Sequence, residues 1–154
     1  MTEIDLINSF MSHLRLALIG VSHSPKHFSR AIMREFVARV YEITPVNPNV
    51  HEVEGAVCVG HIRDIHPPVE AALIVTAPSN VEQVAKDCAE AGIHNLWIYR
   101  MPRNKEVSER IIAICRDREI SLIMNRCPLM FLQNAAYFHR VHRFFSKLVK
   151  AYPK

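Results

Sequence analysis

The sequence predicts a three-layer α/β/α fold, in which a parallel sheet of about five strands is covered by helices on both faces and one more helix is added at the C-terminus. Two observations lead there. Short apolar runs alternate with amphipathic stretches along the chain, the rhythm of strand, crossover helix and parallel strand. One run, Ala71-Ala72-Leu73-Ile74-Val75-Thr76, is apolar almost without a break, as a strand buried on both faces must be. There is no internal repeat or low-complexity segment, and 154 residues suffice for one compact domain with a proper core. The expected domain is 1–154, with its core at about 13–130 and the added helix at about 135–152.

Residues 14–19 run into Gly20 and form the first strand. A helix over 28–40 follows, because Phe28, Ile32 and Phe36 recur at every fourth position. Residues 41–46 make the second strand, stopped by Pro48. The stretch 49–70 is less regular: Val57-Cys58-Val59 suits a short strand and 62–68 a turn-rich connection. After the strand at 71–76, Ser79-Asn80-Val81-Glu82 has the spacing of a capping box; Val81, Val84, Ala85 and Cys88 share a helical face, and Gly92 stops the helix. Residues 96–99 are a further strand, 105–118 a helix burying Val107, Ile111, Ile114 and Cys115, and 121–124 the last strand. Beyond Pro128, the residues Phe138, Val141, Phe145, Leu148 and Tyr152 form a helical stripe with basic residues between them.

Hydrophobic residues make up 49% and charged residues 22%, a balance that excludes a disordered chain. No apolar stretch approaches the length that crosses a bilayer, and Met1-Thr2-Glu3-Ile4-Asp5 lacks the basic start of a signal peptide, so a cytoplasmic location is expected. Cys58, Cys88, Cys115 and Cys127 show no CxxC spacing and read as free thiols. The net charge of +4 is C-terminal in origin: no Asp or Glu follows Glu119, whereas Arg126, Arg140, Arg143, Lys147, Lys150 and Lys154 do. A solvated basic face is the default for that segment, and the alternatives are a seat for a phosphate-bearing ligand, a nucleic acid or an acidic protein partner, a membrane-surface helix, or a homodimer face.

In an open parallel sheet, ligands bind beyond the carboxyl ends of the strands where the strand order reverses. Beyond the first strand lies Gly20-Val21-Ser22-His23-Ser24-Pro25-Lys26-His27-Phe28-Ser29, a run of small and hydroxylic residues leading into a helix whose N-terminal amides favour phosphate. The dinucleotide fingerprint is missing: Gly20 is the loop's single glycine, and Thr44-Pro45-Val46-Asn47-Pro48 offers no carboxylate for a ribose. No Gly-Lys-Ser/Thr occurs either, which removes the P-loop reading.

Gly20-Val21-Ser22, Pro45-Val46-Asn47-Pro48, Glu54-Gly55, Ile74-Val75-Thr76-Ala77-Pro78 and Asn125-Arg126-Cys127-Pro128 follow one another in the order found in the bacterial CoA-binding domain family. The chain resembles that family over roughly residues 13–130. The resemblance implies a Rossmann-like fold related to the nucleotide-binding domain of the succinyl-CoA synthetase α subunit, with coenzyme A or an acyl-CoA as the small-molecule partner. It implies a pyrophosphate against residues 20–29, with Ser22 and the backbone as donors, Lys26 or Arg30 as countercharge, and Val21, Phe28 and Ser29 shaping the loop. Pro45 and Asn47 would flank the adenosine, while Thr76, Ala77, Pro78 and Asn80 would line the pantetheine path. Asn125, Arg126 and Cys127 would shape the pocket floor. Two departures stand out: many members carry a glycine where this chain has Ile98-Tyr99-Arg100-Met101-Pro102, and a glycine or asparagine near Ser29. Tyr99 and Arg100 thus stand at a strand end, where they touch ligand or close the crevice.

Nothing in the sequence assembles a complete catalytic site, and the relatives' phosphorylated histidine belongs to another domain. Cys127 beside Arg126 suits either thiol exchange or a Cys-Pro turn, the second being the simpler reading. His139 and His142 stand three apart without a third ligand, so no metal is expected. The expected activity is therefore binding of coenzyme A, with neither nucleic acid nor membrane as partner. Two other classes remain: a nicotinamide-dependent oxidoreductase on the same crevice, and a basic interaction module acting through the C-terminal helix.

Overall fold

The computed structural model describes residues 1–132, so the helix expected at about 135–152, with His139 and His142, lies outside the described residues. Five strands form one parallel sheet in the order β2-β1-β5-β6-β7: β1 (Arg15–Ile19), β2 (Glu42–Val46), β5 (Ala71–Ile74), β6 (Asn95–Ile98) and β7 (Ser121–Met124). A separate antiparallel hairpin joins β3 (Glu52–Val53) to β4 (Ala56–Val57). The expected short strand at 57–59 is thus displaced into this hairpin, and Val59 instead makes an isolated bridge to Val46.

Side chains along each strand alternate between two core layers, as the pleat dictates. Leu16, Leu18, Leu73, Trp97 and Ile123 face α1 (Glu3–Met11) and α2 (Phe28–Ala38), against Phe10, Ile32 and Phe36. Ala17, Ile19, Ala72, Ile74, Leu96 and Ile98 face α3 (Val81–Glu90) and α4 (Lys105–Asp117), against Ala85, Cys88, Ile111 and Cys115. Both faces of the sheet are therefore dry, which explains why residues 71–74 carry no polar side chain.

Two elements differ from expectation. Helix α1 was not foreseen, yet Thr2 and Asp5 form a full capping box and Ile7, Phe10 and Met11 are buried on one side. The capping box expected at Ser79 and Glu82 does not form. Pro78 starts a short 3₁₀ turn through Asn80, which puts Ser79 inside a turn, and no side chain caps α3. The Glu82 carboxylate is instead held by Arg110 of α4, Nε–Oε1 2.7 Å and Nη2–Oε2 3.0 Å.

The chain leaves β1 through α2 to β2 on one side, then crosses back to β5 on the other side of β1. The order reverses between β1 and β5, so the carboxyl ends of these two strands are where a crevice must open.

Candidate functional site

Gly20 closes β1 at the floor of that crevice. Its φ is +96°, and a Cβ built there would lie 2.5 Å from Thr76 Cγ2 and 2.7 Å from the Thr76 amide nitrogen. No other residue fits: the left-handed φ strains any side chain and the space is already taken by the end of β5. This close approach seats the end of β1 against the end of β5, where Val75 N–H donates to the Ile19 carbonyl (2.9 Å), while Gly20 N–H donates to the Val46 carbonyl of β2 on the other side (2.9 Å).

The loop from Gly20 to α2 is held in one shape by its own residues. Ser22 N–H donates to Ser29 Oγ (2.9 Å), which lies 2.8 Å from His27 Nδ1, and that ring nitrogen also accepts Ser29 N–H (3.1 Å) as the N-cap of α2. The His27 ring thus caps α2 through Nδ1 and holds the Ser29 hydroxyl beside it. The Arg30 guanidinium donates to the Ser22 and His23 carbonyls (3.4 and 3.1 Å) and to Glu54 Oε1 (3.3 Å). Arg34 Nη1 reaches the same carboxylate oxygen at 2.6 Å. Glu54 sits at the turn of the β3–β4 hairpin, and the Arg34 hydrogen bond, opposed by desolvation and aided by Arg30, holds its carboxyl below the ordinary range. The hairpin is thereby latched to the loop.

The crevice has two lobes that meet at Gly20, Thr76 and Ala77. The first, about 470 Å³, is walled by Asn47, Pro48, His61 and α3 residues Gln83 and Asp87. Asn47 Nδ2 donates to the Val21 carbonyl (2.8 Å) and Asn47 Oδ1 accepts Asn49 N–H (2.9 Å), fixing the turn after β2. The second, about 480 Å³, lies over Ser22, His27, Phe28 and Ser29 on one side and Tyr99 and Arg100 on the other. Phe28 and Tyr99 stack with centroids 5.2 Å apart, and the Arg100 guanidinium carbon stands 5.4 Å over the Tyr99 ring. At the junction, Thr76 Oγ1 is buried without a hydrogen-bond partner, the one such side-chain atom among the described residues.

Of the residues expected from sequence, Gly20, Ser22, Phe28, Ser29, Asn47, Thr76, Ala77, Pro78 and Asn80 line one lobe or both. Val21 is buried beneath the loop and contributes its carbonyl to Asn47. Pro45 is buried within β2, one residue short of the rim that Val46 to Asn49 form. Lys26 is exposed on the loop and lines neither lobe. Arg30 is committed to Glu54 and the loop carbonyls, so it shapes the phosphate loop from behind. Asn125, at φ +57°, accepts Met101 N–H on Oδ1 (2.9 Å) and ties the ends of β6 and β7 together.

Arg126 turns away from the crevice to Glu3 of α1, Nε–Oε1 2.8 Å and Nη2–Oε2 3.0 Å, so its charge serves that ion pair and not the Cys127 thiol beside it. Burial raises the Cys58, Cys88 and Cys115 thiols, Cys115 to about 11, which suits packing and not nucleophilic chemistry. Among the described residues no group of three or more His, Cys, Asp or Glu gathers as a metal site would require, and no helix is long and apolar enough to cross a membrane.

Sequence reasoning missed Gly60, His61, Gln83 and Asp87 as walls of the first lobe. The helical spacing of Gln83, Val84 and Asp87 with Asn80 carried that signal, since all four face the strand ends from one side of α3.

Residues 15–133 match the model of a family described as CoA binding domain. The uncharacterized protein YneT of Bacillus subtilis (strain 168) is 24% identical over 113 residues, which make up 73% of this chain and 81% of that protein. A hypothetical protein from Pyrococcus horikoshii OT3 superposes with a TM-score of 0.75 at 21% identity, over 88% of this chain and 92% of that one. The dinucleotide-forming acetyl-coenzyme A synthetase 1 of Ca. Korarchaeum cryptofilum, solved with phosphate and ADP, superposes with a TM-score of 0.67 at 22% identity, over 72% of this chain and 25% of that one. At such identities the two solved structures establish the shared Rossmann-like fold.

Proposed function

The chain belongs to the CoA-binding domain family, and on that premise we propose that it binds coenzyme A or an acyl-CoA across the crevice between β1 and β5. The observation that carries the reading is the backbone contact of Gly20 with Thr76, which floors two lobes with one continuous surface at the switch point. The adenosine belongs in the first lobe, against Asn47, Pro48 and Asn80. The pyrophosphate belongs against the loop 20–29, where Ser22 Oγ, backbone amides and the N-terminal end of α2 meet it. Lys26 supplies charge from the outer rim, while Arg30 keeps the loop in shape through Glu54. The pantetheine then passes Thr76, Ala77 and Pro78, and its amides give the buried Thr76 hydroxyl the partner it lacks.

Bound CoA supplies a thiol able to carry an acyl group as a thioester. The protein's own residues bind and orient it. The Ser29–His27 contact is a helix cap and not an activated nucleophile, since Ser29 is 1% exposed and its hydroxyl already accepts Ser22 N–H. Asp87, the crevice's carboxylate on α3, accepts from Gln83 Nε2 (3.0 Å) and stands away from β2, where a ribose-binding acid would be needed for a nicotinamide dinucleotide.

The test is calorimetric titration with CoA, acetyl-CoA, NAD and ATP at two salt concentrations. CoA and acetyl-CoA bind, and more weakly at the higher salt because phosphate contacts are screened. NAD binding in the absence of CoA binding would overturn the reading.

A further inference from the structure

We propose that Arg100 makes this a site for CoA thioesters whose acyl group carries a carboxylate, a reading that rests on CoA lying in the crevice as described above. The argument is one of position and charge. The ligand path crosses the strand ends in sheet order: Asn47 follows β2, the loop 20–29 follows β1, Thr76 to Pro78 follow β5, and Tyr99 and Arg100 follow β6. With neighbouring strands about 4.8 Å apart, the rim beyond β6 lies roughly 14 Å from the rim beyond β2. An adenosine at β2 and a pyrophosphate at β1 leave the uncharged pantetheine at β5. What reaches β6 is the sulfur and whatever it carries.

That end holds an exposed cation, Arg100, that has no carboxylate partner among the described residues. Among the described cations near the crevice, Arg30 and Arg34 pair with Glu54, and Arg110 and Lys86 with Glu82, while Lys26 stands exposed on the loop and lines neither lobe. No ion pair or hydrogen bond to a carboxylate is recorded for Arg100 among the described residues, and it lines the second lobe. Its guanidinium is placed by the Tyr99 ring, which is itself braced by Phe28. The guanidinium, exposed over that ring, offers a planar fork of the shape that suits bidentate recognition of a carboxylate. A pantetheine thiol or a plain alkyl acyl group would leave this charge unused, whereas an acidic acyl group meets it.

The experiment compares matched pairs by calorimetry at one ionic strength: malonyl-CoA with propionyl-CoA, and glutaryl-CoA with valeryl-CoA. The expected result is that the acidic member of at least one pair binds about tenfold tighter than its uncharged partner. In Arg100→Gln that ratio falls to within about twofold, and Arg100→Lys keeps part of it. Circular dichroism confirms that each variant is folded. A preference in neither pair overturns the proposal, as does one that survives Arg100→Gln. So does an Arg100→Gln variant that loses affinity for all four ligands equally, which would assign the guanidinium to the pyrophosphate. Failure of free CoA to bind the unaltered protein shows as absent heat with every ligand, and marks the failure of the underlying reading instead.

Discussion

The two faces of the sheet are covered by different means. On the α3–α4 face the contacts are small and aliphatic, Ala85, Cys88, Ala89, Ile111 and Cys115 against Ala72, Ile74 and Leu96, with nothing directional among them. On the α1–α2 face they are aromatic and end in polar handles. Phe10 meets Trp97 edge-on at 5.2 Å, Phe131 approaches the same indole at 5.9 Å, and Trp97 Nε1 donates to the Arg126 carbonyl (2.9 Å). Phe36 meets Tyr41, whose hydroxyl donates to the Met11 carbonyl (2.7 Å), and burial pushes that phenol up to about 12. On the first face the sheet is met by packing alone, and the two helices are tied to each other at the surface by the Arg110–Glu82 pair. The other is pinned by hydrogen bonds that tie the end of α1 to the segment before β2, and β6 to the segment after β7.

Trp97→Ala tests that contrast most strongly. It removes the largest fully buried side chain and orphans the Arg126 carbonyl, so chemical denaturation should show a loss of about 4 kcal/mol. A loss near that of an aliphatic truncation would erase the distinction between the faces. Glu54→Gln comes next: it leaves the nearly buried Arg30 without its ion-pair partner and should lower stability by about 2 kcal/mol. CoA affinity should fall with it in titration, because the loop 20–29 loses its latch. The pH dependence has a definite sign. The carboxyl of Glu54 titrates below its ordinary 4.5 in the folded protein, so the latch contributes fully above about pH 4.5 and is lost as pH falls through the lower folded value. The difference in melting temperature between the protein and Glu54→Gln should therefore close on acidification. Ile111→Val, in the face without directional contacts, should cost about 1 kcal/mol and leave CoA affinity unchanged.

Much of this architecture was legible because strand burial on both faces leaves an apolar run that polar helices cannot imitate. The strand expected at 71–76 forms over Ala71–Ile74 and the one at 121–124 forms as expected, while the helix expected at 105–118 from its apolar spacing forms over Lys105–Asp117. Helix α1 was overlooked although Thr2, Asp5, Ile7 and Phe10 carry both its cap and its face, since it precedes the first strand and belongs to no βαβ unit. The cap of α3 was misread because Ser79 and Glu82 satisfy a local spacing rule, while Pro78 and Arg110 decide the outcome from outside it. In the site, Gly20 and the hydroxylic loop could be placed by sequence, since they follow a strand end. The roles of Arg30 and Arg126 could not, because the carboxylates that claim them, Glu54 and Glu3, lie 24 and 123 residues away.

Helix α1 packs on β6 and β7, and its Glu3 pairs with Arg126 just after β7, so the first helix among the described residues is completed by the last described strand. At ribosomal speeds of about 5–20 residues per second, the partner of Glu3 is made roughly 6–25 s after Glu3 itself. The stripe of Ile7, Phe10 and Met11 therefore gains the cover of Trp97 and Ile123 only once β6 and β7 have been made.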